Sequence, residues 1–600
     1  MSTPPETVEP RVRPGWRGLR FARRPLGAWA RMRAGIRASE LWLVVIAAGV
    51  GAMAGLLTVT VSGAAHGLQV ALYGLRGDER LSAMAGLPGY RVLLLPLGGL
   101  ILGAVTWLWT RRRPGSPVDP VEANALHGGR MSIRDSLFVG FQSVISNGFG
   151  ASVGLEAAFA QLGGGAASLA GSFLNLRRND LRALVGAGAG AGIAAAFGAP
   201  LTGAFYAFEI IIGSYTAANI APVVAATLAG VLVARLIGGR PMALESQARD
   251  VLSLSHYLLF AALGMICAFL GVAIMRLVAF LEARAAKLPG PKWLRPALGG
   301  IVLAAIAWIA PRTLSAGHGA MRMDLAAELT IGVLIFLIVT KAAASIVALG
   351  FGFRGGLFFA SLYLGSLVGK LYVVALTAAG VHTSIDPLAA AFVGMGAMGV
   401  AIIGGPFTMT FLVLETTGDF GLTAATLTAS IIASLLVRET FGYSFSTWRL
   451  HLRGETIRSA HDVSWLRDLT AGKMMRADAA TIAADTKVAE FRRRFPLGST
   501  RRVVGLDAGQ RYAGVIPVSA VHADADQDDV VGNLMINKDQ WLRPEMTIKE
   551  IMGVFDHTES DELAVLDEAG DVLGVLSEAY ATRRYAEELE KVRRDLVGGE

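Results

Sequence analysis

The sequence predicts an all-α polytopic membrane domain followed by a smaller α/β region. Hydrophobic residues make up 53% of the 600 residues and charged residues 17%, whereas soluble chains average roughly 25% charged residues. Apolar runs recur from Leu41 to Val437, and after residue 455 the pattern changes to short strands and amphipathic helices. The low charge, the recurrent apolar runs and the change of pattern together predict this fold class.

The net charge of +8 is divided unevenly along the chain. Residues 455–600 hold 19 Lys/Arg and 27 Asp/Glu, and the preceding residues hold the other 36 Lys/Arg and 20 Asp/Glu. We therefore predict a basic cytoplasmic N-terminal segment (1–39), a membrane domain (40–454) and an acidic cytoplasmic tail (455–600). Positive charge beside an early span favours the cytoplasmic side. Because the positive charge belongs to the membrane part, no nucleic-acid partner is predicted.

Fourteen apolar segments are predicted to be membrane helices. Several reach the ~20 residues needed to cross a bilayer core of ~30 Å, but two of them, 200–213 and 406–416, are too short and are flanked by Gly or Pro. Broken helices at membrane depth are tolerated only where they line a cavity or pack within protein, so these segments predict a transport site. The fourteen segments are 41–71, 90–111, 136–147, 156–174, 182–196, 200–213, 218–237, 255–282, 293–309, 330–350, 357–378, 388–403, 406–416 and 421–437.

An internal repeat relates two parts of the membrane region. The stretch AAAFGAPLTGAFYAFE at 194–209 aligns with VAIIGGPFTMTFLVLE at 400–415 at a constant offset of 206 residues. Two related halves are typical of membrane transporters, whose binding sites lie near the midplane at the repeat interface. The identical pairs are Gly188–Gly394, Gly190–Gly396, Ala191–Ala397, Ala195–Ala401, Gly198–Gly404, Pro200–Pro406, Thr202–Thr408, Phe205–Phe411 and Glu209–Glu415.

Four segments of the membrane region carry a resemblance to a known family. GLEAA (154–158) stands where the family has GREGP, and GAGAGIAAAFGAPLTGAFYAFE (188–209) is close to its helix–turn–helix signature. RGGLFFASLYLGSLVGK (354–370) stands where the family has GGxFxP, and SFSTWRLHLRG (444–454) resembles its last membrane helix. The chain thus resembles the CLC family of voltage-gated chloride channels and proton/chloride exchangers over roughly residues 40–454. The resemblance implies a homodimer of subunits that each contain two inverted repeats with broken helices and their own anion pathway.

The tail contains two similar units, at about 470–523 and 535–592. Each has an extended start, a helix, a strand–turn–strand that ends in Gly-Val, and another helix, and this order resembles a tandem pair of CBS domains. Nucleotide-binding members often end in a Gly-x-x-Ser/Thr-x-x-Asp element. Here Tyr580 stands at the aspartate position and GVIPVSA lacks both groups, so no cofactor is predicted and nucleotide binding is left open.

Glu156 is the only charged residue between Ser136 and Leu176. Ionisable residues inside a membrane are expensive and usually functional. By the resemblance, Glu156 is the external gating glutamate: its ionised carboxylate occupies an anion site, and the protonated side chain swings away and carries a proton. We therefore predict transport of chloride or a similar small anion, gated by protonation of Glu156.

The anion itself has to be bound weakly enough to leave, which argues against full positive charges at midplane. Helix N-termini offer backbone N–H groups and a partial positive charge, and glycine-rich turns let the backbone approach closely. By the resemblance, the anion-binding residues are Ser116, Pro117, Gly355, Gly356, Leu357, Phe358, Phe359 and Ser446.

Two of these positions depart from the family and leave the preferred anion open. Pro117 falls on the anion-coordinating serine of the family's GSGIP loop, with Ser116 adjacent, and proline there is associated with nitrate preference. Ser446 falls on the anion-coordinating tyrosine, and the register does not favour the nearby Tyr443.

The sequence also does not decide how protons would cross the inner half of the membrane. Exchangers commonly have paired glutamates at the end of the Ala-Pro helix, and the second serves internal proton transfer, whereas this chain has Glu209-Ile210. Glu209 takes the first, more structural position and is the candidate internal carboxylate, while Ile210 cannot carry a proton. Channels and some exchangers lack the second carboxylate, so both passive conduction and exchange remain.

Two further charged residues lie at membrane depth. Glu415, at the matching end of the second repeat, is predicted to be structural and hydrogen-bonded. Lys341 is the only Lys/Arg between Arg322 and Arg354, and it either holds a carboxylate or raises the local anion potential. No metal site is predicted, because the nine His show no ligand-like clustering and there is one cysteine.

Two rival classes remain. An intramembrane enzyme would use Glu156 as acid or base, but the apolar segments between 90 and 237 contain no His, Asp or Cys as a second catalytic group, so we predict that the chain is not an enzyme. A non-conducting membrane sensor would signal through the CBS pair. In each case the lipid bilayer is a partner, and we predict a multi-pass protein of the inner or plasma membrane with both termini cytoplasmic.

Overall fold

The computed structural model describes residues 40–597 with short gaps at 78, 85, 88, 114, 239–252, 382–383, 453–468, 524 and 559. The predicted N-terminal segment 1–39 and the predicted boundary at residues 454 and 455 lie outside the described residues.

All fourteen predicted apolar segments are helical, and their ends differ from the predicted ones by a few residues. The α-helices described between residues 40 and 452 are α1 (Glu40–Tyr73), α2 (Leu94–Arg112), α3 (Pro120–Leu126), α4 (Ile133–Gly148), α5 (Glu156–Phe173), α6 (Arg178–Phe197), α7 (Pro200–Tyr206), α8 (Ala217–Leu236), α9 (Leu254–Ala286), α10 (Arg295–Ile309), α11 (His318–Ala326), α12 (Ile331–Gly350), α13 (Phe358–Ala378), α14 (Pro387–Ile403), α15 (Pro406–Thr417), α16 (Phe420–Thr440) and α17 (Phe445–Leu452). A π-helical turn, Ala207–Ile212, extends α7.

Nine stretches of the described chain are long and apolar enough to cross a membrane. Large apolar side chains point outward from them; Leu232 is 60% exposed and Leu258 is 69% exposed, as suits a surface that faces lipid. The helices α7 and α15 are too short to cross alone, as predicted. The observed architecture is therefore the predicted all-α polytopic domain with broken helices.

The helices α3 and α11 were missing from the predicted segments. α3 has seven residues, too few for a periodic apolar pattern, although Pro120 at its start and Asp119 as its N-cap are recognisable signals. α11 carries charged and polar residues within nine positions. Short, mixed sequences of this kind are not distinguishable from loops by hydropathy.

Small residues let equivalent helices in the two halves approach at backbone distance. A Cβ built on Gly163 of α5 would lie 2.1 Å from the carbonyl oxygen of Gly188 in α6, and one on Gly365 of α13 would lie 2.2 Å from that of Gly394 in α14. Gly188 and Gly394 are paired by the sequence repeat. Backbone approach through small residues is how membrane helices gain packing energy without a hydrophobic driving force.

The two halves cap each other's short helix. The carboxylate of Glu415 accepts hydrogen bonds from the backbone N–H groups of Leu201 and Thr202 at the start of α7, both at 2.8 Å. The carboxylate of Glu209 accepts equivalent bonds from Phe407 and Thr408 at the start of α15, at 3.1 and 2.8 Å. Each glutamate therefore satisfies the free N–H groups of the helix in the other half, where an anionic group is also favoured by the helix dipole.

The C-terminal part consists of two similar α/β units. A three-stranded sheet has the order β1-β2-β3, with β1 parallel to β2 and β3 antiparallel to it, and a second sheet pairs β4 and β5 antiparallel. The strands are β1 (Thr481–Ala483), β2 (Arg502–Leu506), β3 (Tyr512–Pro517), β4 (Glu562–Leu566) and β5 (Val572–Ser577), and the helices are α18 (Ala471–Met474), α19 (Val488–Arg494), α20 (Val518–Ala523), α21 (Ile548–Thr558) and α22 (Glu578–Val597).

The two units show the same local irregularity, because the pairing register shifts between Gly505 and Leu506 in one sheet and between Val565 and Leu566 in the other. Buried Val504 and Leu566 belong to one apolar cluster that joins the units. The small sheets fit the predicted CBS pair.

Candidate functional site

Two helix N-termini are held side by side by a pair of glycines. Gly154 precedes α5 and Gly356 precedes α13, and their backbone groups exchange two hydrogen bonds of 3.0 and 3.1 Å. Since the first N–H groups of an α-helix have no partner inside the helix, this arrangement directs two sets of free donors toward one place. Glu156 is the first residue of α5.

The carboxylate of Glu156 lies at this junction. The side chain is 3% exposed, and the backbone N–H groups of Phe359 and of Glu156 itself stabilise the negative charge of the carboxylate. Oε2 has no hydrogen-bond partner among the described residues. Oε2 stands 1.9 Å from where a Cβ on Gly154 would be. The carboxylate thus folds back onto the Gly154 turn and lies at the helix N-termini, where free N–H groups and the helix dipole favour a negative charge.

Glu156 stands between two cavities. One, the large cavity, measures about 430 Å³ and is lined by His66, Arg80, His318 and Arg322 among others. The other, the central cavity, measures about 130 Å³. Among the described residues, Glu156 is the only one that lines both, and it is the only acidic residue that lines the large cavity. A movement of this side chain is therefore the change that would join the two cavities.

The structure brings most of the predicted anion-binding residues to the central cavity. Phe359 instead lines the large cavity, on the other side of Glu156. Ser116 is exposed and lines neither. The predicted residues in the wall of the central cavity are Pro117, Gly355, Gly356, Leu357, Phe358 and Ser446.

A third cavity, of about 190 Å³, contains Glu209 and Tyr443 in its wall. It shares Val121, Ile210 and Ile403 with the central cavity, so aliphatic side chains separate the two. The Oε2 atom of Glu209 also accepts a 2.6 Å bond from the hydroxyl of Thr408. Glu209 is thus engaged in capping α15 and does not line the central cavity.

Lys341, in α12, is buried beneath the same junction. Its Nζ donates to Ser152 Oγ at 2.9 Å and to the carbonyl oxygens of Thr313 and Ser315 at 3.1 and 2.9 Å. Lys341 is 1% exposed, and no carboxylate of the described chain lies within ion-pair distance. The carboxylate with which it interacts electrostatically is Glu156, so the amine of Lys341 lies near the junction that holds this carboxylate.

Tyr206 is a residue of the central cavity that the sequence did not single out. Its signal was present, because a tyrosine at the end of the Ala-Pro helix is a polar group in an otherwise apolar run. No group of three or more His, Cys, Asp or Glu that could hold a metal occurs in the part of the chain that the structure describes.

Comparison with known proteins identifies the family. Residues 98–438 match the family described as "Voltage gated chloride channel". The chain belongs to the voltage-gated chloride channel family. Its members are channels or transporters, so the chain is not an enzyme, as predicted.

The curated relatives cover the membrane domain. A ClcB-like chloride channel protein of Ralstonia nicotianae is 29% identical over 384 residues, which is 62% of this chain and 89% of the relative. The voltage-gated ClC-type chloride channel ClcB of Escherichia coli O157:H7 is 28% identical over 377 residues, 60% of this chain and 86% of the relative.

Solved structures of the family share the fold. A slow cyanobacterial Cl−/H+ antiporter aligns with a TM-score of 0.59 at 21% identity, over 68% of this chain and 97% of that one. A eukaryotic CLC transporter aligns with a TM-score of 0.58 at 19% identity, over 92% of this chain and 98% of that one. Together with the nine apolar stretches, these likenesses identify an integral membrane protein of the CLC fold.

Proposed function

We propose that the protein moves chloride or a similar small anion across the membrane, through a pathway in each subunit that the carboxylate of Glu156 opens and closes. The observation that carries the proposal is the position of this carboxylate. It lies at the junction of α5 and α13, where the Phe359 N–H stabilises its charge, and Glu156 lines both the large and the central cavity.

The mechanism is a competition for the same donors. An ionised Glu156 and a free anion bind the same N–H groups of the helix N-termini, so the carboxylate excludes the anion while it is bound there. Protonation removes the charge that holds the side chain there, and the anion takes its place. Partial charges of helix ends bind less tightly than a full cation would, which lets the ion leave.

The basic wall of the large cavity supports entry of anions. Arg80 and Arg322 line it together with His66 and His318. A cleft lined by one sign of charge raises the local concentration of the opposite ion. The curated relatives are described as chloride channels, and two solved relatives are titled as Cl−/H+ and fluoride/proton antiporters, which supports a small monovalent anion.

Channel and exchanger mechanisms differ here in the inner proton route. Ile210 and Ile403 separate the central cavity from the cavity that contains Glu209, and neither can carry a proton. A nitrate-preferring transporter is the alternative that the structure favours by one observation, the presence of Pro117 in the wall of the central cavity.

The proposal also covers the domains, the oligomeric state and the membrane of the protein. We assign transport to residues 40–454 and a regulatory CBS pair to the cytoplasmic tail, within a homodimer of the inner or plasma membrane. A non-conducting sensor that signals through the same tail is the alternative, and it would bind anions without moving them.

The deciding experiment measures anion flux and pH together in proteoliposomes. Wild type is compared with Glu156→Ala, and Glu415→Ala serves as a matched loss of a carboxylate outside the proposed path. We expect anion efflux in wild type, and an altered pH dependence only for Glu156→Ala. Proton movement against its gradient, driven by chloride, would establish exchange, and chloride flux without proton movement would establish a channel. If Glu156→Ala has the same anion flux and the same pH dependence as wild type, the proposal that Glu156 is the gate is wrong.

A further inference from the structure

Tyr206 places a phenol in the wall of the central cavity. It is the last residue of α7, directly before the π-helical turn Ala207–Ile212. The wider turn of a π-helix changes the direction of neighbouring side chains and is frequent at functional sites. The Tyr206 ring lies 6.2 Å from the ring of Phe358, centroid to centroid, at the N-terminus of α13.

The hydroxyl of Tyr206 has no hydrogen-bond partner among the residues that the structure describes. Tyr206 is half-buried, and its hydroxyl is not enclosed by protein, so it is free to pair with a group inside the cavity that it lines. Tyr206 and Glu156 both line the central cavity, so the phenol and the proposed gating carboxylate border the space that the anion would cross.

Other polar groups in the same wall are already engaged. Ser143 donates to the Val139 carbonyl at 2.9 Å, and the side-chain amide of Gln161 donates to the Val118 carbonyl at 2.8 Å. Asp119 accepts from the backbone N–H of Glu122. Of the hydroxyl groups described in this wall, those of Tyr206 and Ser446 have no protein acceptor.

Ser446 is the shorter of these two donors. It stands where the family resemblance implies a tyrosine, so the wall has lost a phenol on α17. Tyr206 brings a phenol into the same cavity from α7. A neutral hydroxyl suits a transport site, because it replaces part of the anion's hydration without the tight hold of a full positive charge.

We infer that the hydroxyl of Tyr206 donates a hydrogen bond to the dehydrated anion in the central cavity. Its ligand class is a small monovalent inorganic anion such as chloride, bromide or nitrate. The inference rests on the proposed function and adds to it a binding residue that replaces the missing tyrosine of α17.

The test removes only the hydroxyl. Purified wild type, Tyr206→Phe, Ser446→Ala and Tyr443→Phe are titrated with chloride, bromide and nitrate by isothermal calorimetry, and anion flux is measured on the same preparations. Tyr443→Phe is the matched control, because that phenol lines the third cavity. We expect Tyr206→Phe to weaken binding on the order of tenfold, the effect of losing one hydrogen bond to a charged group. Tyr443→Phe should bind as wild type does.

The outcomes separate the inference from the function. If wild type binds and transports anions and Tyr206→Phe has unchanged affinity for all three, the inference is wrong while the proposed function stands. A loss of binding in Ser446→Ala together with wild-type binding in Tyr206→Phe would likewise assign the role to the serine. If wild type neither binds nor moves an anion, the proposed function fails and the inference fails with it. Phenylalanine keeps the ring, so a folding defect is checked by the melting temperature.

Discussion

Replacing Gly154 with alanine tests whether the seat of the Glu156 carboxylate is the gate. A Cβ on Gly154 would stand 1.9 Å from Oε2 and 3.3 Å from Oε1 of Glu156. Gly154 does not adopt the left-handed conformation, so alanine brings no backbone strain, and the flexible carboxylate is the group that has to move.

The size of the effect follows from these distances. Ordinary contact begins near 3.4 Å, so Oε2 has to move by about 1.5 Å. Because Cδ would also lie only 2.9 Å from the new Cβ, the whole carboxylate has to move away from the stabilising Phe359 N–H, and an N–H donor contributes about 1.5–3 kcal/mol to a charged acceptor. The occupancy of the seated carboxylate should then fall roughly ten- to a hundredfold.

Initial rates of chloride efflux from proteoliposomes, measured over a series of pH values, report this occupancy. We expect Gly154→Ala to raise the rate at neutral pH toward that of Glu156→Ala and to flatten the pH profile. Gly49→Ala in α1 is the control, because a Cβ there would meet nothing within 4 Å. A folded Gly154→Ala protein with wild-type rate and pH profile would refute the reasoning.

Three further predictions concern other buried groups. Glu415→Gln should lower the melting temperature, because a neutral amide replaces the charged acceptor of three donors at 2.6–2.8 Å, a loss of about 1–3 kcal/mol. Lys341→Met should weaken anion binding about tenfold, as expected for removing a nearby charge. Lys370→Met is the control: it loses hydrogen bonds to three carbonyl oxygens and should lower the stability of the protein without changing its anion affinity. Burial and the charge of Asp539 raise the pKa of Tyr512 above its usual value. The protonated phenol therefore stabilises the tail up to about pH 10, and this stabilisation is lost as pH rises further. Tyr512→Phe should remove this alkaline dependence from the thermal unfolding of the full chain.

Each of these has an outcome that would contradict it. Glu415→Gln with the wild-type melting temperature would mean that the cap carries no net stability. Equal effects of Lys341→Met and Lys370→Met on anion affinity would remove the special role of the first lysine. An unfolding curve of Tyr512→Phe with the same alkaline dependence as wild type would assign that dependence to other groups.

The helices themselves were predictable, because long apolar runs with ~20 residues have few alternatives in a membrane. The repeat was also readable, since Pro200 and Pro406 begin the two short helices and Glu209 and Glu415 end the aligned segments. The role of those glutamates was only partly predicted. Their sequence positions match, but that each caps the helix of the other half depends on how the halves meet in space.

What the sequence by itself determined is the class of protein: a broken-helix membrane domain with one stranded carboxylate, Glu156, and a mixed α/β tail. This much follows from composition and local pattern, which act over a few turns of helix. What only the tertiary structure decided is which groups line one cavity. Tyr206 and Ser446 are 240 residues apart and line one cavity, while Ser116, next to Pro117, lies outside it. Contacts between distant segments depend on the crossing of helices and on the backbone approach that residues such as Gly163 and Gly188 allow, and no local pattern contains that geometry.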